Sequence, residues 1–106
     1  MAWIGCDLDG CLAYYDSWKG MEHIGEPIPL MLQGVKEWLA NGNTVKIFTA
    51  RANLGPEQIV IIQDWCEKHG LPRLEVTATK DFSMKVLYDD RCVQVIENTC
   101  ILVKRS

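Results

Sequence analysis

At 106 residues the chain has room for one hydrophobic core and none for a second, independently folded domain. Its make-up, 48% hydrophobic and 24% charged, is that of an ordinary globular protein, and a net charge of −3 argues against a broad nucleic-acid or acidic-membrane surface, though not against a local basic groove. Five cysteines (Cys6, Cys11, Cys66, Cys92, Cys100) make an odd set without C-x-x-C spacing, which disfavours disulfide and zinc frameworks and leads us to expect a reducing, cytoplasmic setting.

The first predicted element is a buried strand over residues 2–7, carried by the apolar run Trp3-Ile4-Gly5-Cys6. A polar and aromatic stretch over 11–26, with Tyr14, Tyr15, Trp18, Gly20 and Gly25, lacks any period and reads as a loop or short hairpin. Pro27 and Pro29 open a helix with Met31, Val35, Trp38 and Leu39 at helical spacing, which Asn41-Gly42-Asn43 ends. Residues 44–50 are apolar and β-branched and predict a second strand. Pro56 starts a second helix with Ile59, Ile62 and Trp65 or Cys66 on one face, closed by Gly70-Leu71-Pro72.

Further strands are predicted near 74–78 and 85–88, with 101–103 as a candidate fifth. Strands alternating with helices imply parallel pairing and an α/β, three-layer Rossmann-like sheet. No basic segment leads into a long apolar run, so neither an export signal nor a membrane span is expected.

In such sheets ligands collect at the carboxyl ends of the strands, and the polar residues sort to those positions. Asp7-Leu8-Asp9-Gly10 follows the first strand, Thr49 and Arg51 end the second, Lys80 follows the third, and Asp89-Asp90-Arg91 follow the fourth. Two carboxylates two residues apart repel each other unless a cation or a shared proton offsets them, which points to a hard metal ion or acid/base chemistry. Gly10 lets the backbone turn sharply and approach a ligand closely. His23 and His69 stand in no metal-ligand spacing, and Trp38 and Trp65 lie on apolar helix faces and read as core.

The order Asp-x-Asp-Gly, hydrophobic-Phe-Thr-Ala-Arg, Lys, hydrophobic-Asp-Asp resembles that of the haloacid dehalogenase (HAD) superfamily, over residues 3 to about 95. The chain looks like a small capless member, a single HAD-like domain over 1–106 in which 11–26 forms a flap or hairpin beside the site. The resemblance implies a Mg²⁺-dependent phosphatase working through an aspartyl-phosphate. Asp7 would be the nucleophile. Asp9 would protonate the leaving oxygen and then deprotonate water, with its backbone carbonyl facing the metal. Asp90, and Asp89 through water, would complete the oxygen shell around Mg²⁺ with Asp7. Thr49 and Lys80 would bind the phosphoryl oxygens, and Gly10 and Arg51 would lie against the substrate.

Simpler roles compete with these. Thr49 also suits a cap on the following turn, Asp89 and Asp90 suit a helix N-cap ahead of residues 91–98, and Arg51 and Arg91 suit contacts to a neighbouring carboxylate as well as to phosphate. Lys85, five residues beyond Lys80, is the alternative phosphate-binding lysine, but it begins the fourth predicted strand, at the end away from the site. The implied partner is a phosphorylated small molecule, a nucleotide included, or a nucleic-acid end. Tyr14, Tyr15 and Trp18 could shield it or stack on a base or sugar. A phosphate-responsive binding or regulatory module with little turnover is the second reading, and a structural subunit the third. A receiver-type signalling domain fits less well because here the D-x-D-G comes first and the acid pair last.

Overall fold

The computed structural model describes residues 2–103; residue 1 and residues 104–106, the ends of the expected single domain, lie outside the described residues. Four strands, β1 (Trp3–Cys6), β2 (Thr44–Phe48), β3 (Glu75–Thr77) and β4 (Met84–Tyr88), form one parallel sheet in the order β3-β2-β1-β4. Two α-helices, α1 (Pro29–Ala40) and α2 (Pro56–Lys68), make the β1-to-β2 and β2-to-β3 crossovers. Each helix starts on a proline, whose fixed φ suits the first helical turn and whose missing N–H is not needed there.

Both crossovers step the same way across the sheet, so their common hand puts both helices on one face. The core confirms this. Ile4 and Cys6 of β1, Val45 and Ile47 of β2 and Val76 of β3 meet Val35 of α1 and Ile62, Trp65 and Cys66 of α2 in one buried cluster. Tyr88 of β4 joins that side through a ring contact of 4.6 Å with Trp38 of α1.

A third layer, expected from the sequence, is therefore not formed among the described residues. The physical reason is the β3-to-β4 connection. It has only the six residues 78–83, must travel from one edge of the sheet to the other, and leaves no length for a helix. It crosses the face opposite the helices without regular structure, ends in a turn in which the Met84 N–H donates to the Asp81 carbonyl at 3.2 Å, and is held to the first strand. The Trp3 indole N–H donates to Asp81 at 2.9 Å, and the Trp3 backbone N–H donates to the Ser83 carbonyl at 2.9 Å. The indole hydrogen bond also holds the Asp81 carboxyl below its ordinary pKa. On the same face the Lys46 ammonium lies 4.5 Å from the Trp3 ring centre.

The candidate fifth strand is likewise corrected. Residues Leu102–Val103 (β6) pair antiparallel with Gln94–Val95 (β5) in a separate hairpin, away from the main sheet. Joining two segments six residues apart closes a short loop, whereas a fifth parallel strand would need a long return crossover. No helix forms over 91–98, so a helix N-cap role for Asp89 or Asp90 does not arise. No helix among the described residues is long and apolar enough to cross a membrane, and none of the five cysteines is in a disulfide.

Ile47 is fully buried between the two helices and the sheet. Ile47→Ala is expected to cost about 2–5 kcal/mol of unfolding free energy, read as a lower denaturation midpoint with unchanged slope.

Candidate functional site

The strand ends meet at the exit of β1. The Asp7 N–H donates to the Tyr88 carbonyl at 2.9 Å, which ties the last residue of β4 to the first residue beyond β1. A tight turn follows, in which the N–H groups of Cys11, Leu12 and Ala13 all donate to the Leu8 carbonyl. Leu8 and Leu12 are fully buried beneath it, so the turn is nailed to the core by its apolar residues while its acids point outward.

Gly10 sits at φ +84°, and a Cβ there would lie 2.6 Å from an Asp90 carboxylate oxygen. The glycine thus serves both the turn and the close approach of Asp90, which the Cβ of any other residue would push away. Behind the turn, the Cys6 thiol donates to the Asp7 carbonyl at 3.5 Å and the Cys11 thiol to the Tyr88 carbonyl at 3.6 Å, and the interaction of the two neighbouring thiols raises the Cys6 pKa and lowers that of Cys11.

Asp7, Asp89 and Asp90 each place a carboxylate oxygen so that all three lie within 4.8 Å of one another. Burial pushes the Asp7 carboxyl up from 3.8 to about 7, helped by a hydrogen bond that the protonated Asp7 carboxyl donates to Asp90 and by the charge of Asp89, while the Leu8 N–H on its oxygen opposes the rise. An all-oxygen set of this kind, strained by its own like charges, has the chemistry of a hard divalent cation site.

Asp9 is engaged differently. Arg51 holds it with two hydrogen bonds, Nε to one carboxylate oxygen at 2.7 Å and Nη2 to the other at 2.9 Å. The guanidinium is 6% exposed, so this is a largely desolvated pair. Its other three N–H groups are also used, donating to the Met21 and His23 carbonyls and to Gln58 Oε1. All five donors of the guanidinium are thereby satisfied. Gln58, fully buried, donates in turn to the Met21 carbonyl.

These bonds fasten the 11–26 segment over the site as the expected flap. Its base is zipped by Tyr14 N–H to the Glu26 carbonyl, Ile28 N–H to the Leu12 carbonyl and the Trp65 indole N–H to the Gly25 carbonyl. Trp18 lies over the guanidinium, 4.8 Å from ring centre to Arg51 Cζ.

Thr49 is buried and does what a capping residue does, accepting the Arg51 N–H at 3.2 Å and starting the 3-10 turn Ala50–Leu54. It also lines the pocket. That pocket, about 600 Å³, is bounded by Asp7, Asp9, Thr49, Arg51, Asp89 and Asp90, with Tyr15, Trp18, Phe48, Ala50, Leu54 and Arg91 completing its wall.

Of the residues singled out in the sequence, Asp7, Asp9, Thr49, Arg51, Asp89 and Asp90 are brought together, and Gly10 supports Asp90. The Asp9 carboxylate stands outside the three-acid group, spent on Arg51. Lys80 is not brought in: the crossing segment carries it to a separate depression lined with Asp81 and Phe82. Lys85 is the extra residue of a bulge, since Trp3 pairs with Met84 and Ile4 with Val86, and it too lies outside the pocket wall. The cations at the pocket are Arg51 and Arg91. Sequence reasoning missed Gln58, Phe48 and Leu54. A polar residue two positions after the helix-opening Pro56 was the one available signal for Gln58, and it is weak.

No family model matches the chain, and no curated protein matches it. A solved structure of a conserved protein from Bacteroides thetaiotaomicron is similar in fold, with a TM-score of 0.62 at 20% identity over 84% of this chain and 75% of that one.

Two measurements test the site. Without metal, the folded state keeps a proton on Asp7 that the unfolded chain has lost, so stability should fall as pH rises from about 4 to about 7. Thermal melts should show this slope, Asp7→Asn should flatten it, and added Mg²⁺ should raise the melting temperature most above pH 7. Arg51→Lys keeps the charge but not the five-way geometry. It should lower stability by roughly 1–3 kcal/mol and speed amide exchange across the flap, measured by hydrogen–deuterium exchange.

Proposed function

We propose that the chain is a Mg²⁺-dependent phosphomonoester hydrolase of the haloacid dehalogenase type. The observation that carries this reading is the meeting of Asp7, Asp9, Thr49, Asp89 and Asp90 around one pocket at the carboxyl ends of parallel strands. Asp7, Asp89 and Asp90 are the residues that would hold the metal, which when bound supplies charge to offset the acids and the phosphoryl oxygens.

An Asp7 oxygen attacks phosphorus, the bond from phosphorus to the leaving oxygen breaks, and that oxygen takes a proton from Asp9. Water then attacks the phosphorus, gives its proton to Asp9, and the bond from phosphorus to Asp7 breaks. Phosphate leaves and the Asp7 carboxylate is restored. The Thr49 hydroxyl, at the pocket wall, is placed for a non-bridging phosphoryl oxygen. Since both Asp9 oxygens are held by Arg51, each proton transfer at Asp9 requires one of those contacts to open. Confinement to this pocket suits a phosphorylated small molecule or the terminal phosphate of a nucleic acid.

A second reading, a phosphate-responsive binding or regulatory module with little turnover, is favoured by two specific observations. Lys80 lies away from the acids, and Asp9 is clamped. Phosphate release from a panel of sugar phosphates, nucleoside monophosphates and 3′- or 5′-phosphorylated oligonucleotides in Mg²⁺ separates the two. The hydrolase reading expects release that Asp7→Asn abolishes, a loss of at least about a thousandfold in kcat, with an unchanged circular dichroism spectrum. Binding of Mg²⁺ and phosphate without release from any member of the panel would establish the module instead.

A further inference from the structure

The acids account for only one end of the pocket. Most of the remaining wall is built by Tyr15 and Trp18 from the flap, Phe48 from the end of β2 and Leu54 from the 3-10 turn, with Ala50 and Arg91 completing it. Tyr15, Trp18 and Leu54 are 43%, 52% and 50% exposed, so large apolar surface faces the opening instead of being packed away. Trp18 has one ring face against Arg51, and the guanidinium that backs it is fixed by five hydrogen bonds. Its remaining accessible surface is therefore presented on a rigid support. Tyr14, the neighbouring aromatic, is exposed and does not line the pocket.

Three polar groups of this wall already have partners, and Arg91 is its further cation beside Arg51. Asp9 is held by Arg51, Thr49 Oγ1 accepts the Arg51 N–H, and an Asp89 oxygen accepts the Arg91 N–H at 2.7 Å. A leaving group rich in hydroxyls would bury them against Trp18, Phe48 and Leu54 with few partners, and each hydroxyl left unpaired there is penalised by its lost hydration. A flat unsaturated ring carries no such cost there and gains stacking.

We propose that the pocket selects phosphomonoesters whose leaving group carries a flat unsaturated ring, with Tyr15, Trp18, Phe48 and Leu54 as the specificity wall. The proposal rests on the hydrolase reading for the phosphate end and adds the class of group attached to it. A nucleobase on its sugar and a simple aryl group share this chemistry.

The test compares adenosine 5′-monophosphate, ribose 5-phosphate and phenyl phosphate with the full chain in Mg²⁺. Adenosine monophosphate and ribose phosphate differ only by the base. The expected result is a kcat/KM for adenosine monophosphate at least roughly tenfold above that for ribose phosphate. Tyr15→Ala with Trp18→Ala should reduce the ratio to near one, with the larger fall in the adenosine monophosphate value, while Tyr14→Ala leaves the ratio as it is. A high value for phenyl phosphate as well assigns the selection to the ring itself, and a low one assigns it to a base held on its sugar.

Binding is read independently of turnover in Asp7→Asn. Adenosine monophosphate should quench tryptophan fluorescence, ribose phosphate should not, and a Trp18→Phe background should remove the quench. Equal kcat/KM for the two esters, or a preference that survives the double alanine variant, overturns the ring proposal and leaves the hydrolase reading standing. Quenching by adenosine monophosphate without hydrolysis of any ester does the reverse. Neither quenching nor hydrolysis overturns both.

Discussion

The buried Arg51 guanidinium is the interaction on which the arrangement of the site depends. A desolvated cation of this kind is tolerated only when its charge is paired and every N–H has an acceptor, and the chain meets that demand with groups from three places. Asp9 comes from the turn after β1, Gln58 from the first turn of α2, and the Met21 and His23 carbonyls from the flap. Satisfying one side chain therefore fixes the positions of three segments far apart in sequence. No buried side-chain nitrogen or oxygen among the described residues lacks a partner, so the network closes without a strained or orphaned member.

The acids on the other side of the turn follow the opposite logic. Asp7, Asp89 and Asp90 are gathered without a cation among them, and the cost is visible in the raised Asp7 carboxyl. Separate treatment of neighbouring carboxylates, one paired with arginine and three drawn into one group of like charge, divides them into a positioned acid and a cluster whose charge a cation would offset. Such a division of roles within three residues is what the Asp-x-Asp spacing makes available, because alternate residues leave the strand in different directions.

The sheet governs access. With both helices on one face and only a six-residue segment crossing the other, the pocket is bordered among the described residues by the flap, the strand ends and the 3-10 turn. Its anchoring at the base and at Met21 and His23 makes it a wall built into the fold, and Tyr15 and Trp18 become part of the lining.

Local pattern was enough for much of this. The apolar run Trp3-Ile4-Gly5-Cys6, the helix-opening Pro29 and Pro56 and the periodic Val35, Ile62 and Trp65 place the first four strands and both helices within a few residues of their observed bounds, because burial periodicity and proline chemistry act over short distances. The acids and Thr49 at strand ends were legible for the same reason: parallel order alone sends the residues that follow each strand to one edge. The course of the 78–83 segment was not legible, since whether a short connection folds into a helix or stretches across the sheet depends on which edge the next strand joins. That choice took Lys80 away from the acids and left one face without helices. Nor could the sequence show that Arg51 would turn to Asp9 and the flap, or that 101–103 would pair with 94–95. Both are contests between partners distant in the chain, and only the assembled tertiary structure, by counting acceptors around one buried cation and the cost of closing one loop against another, decides them.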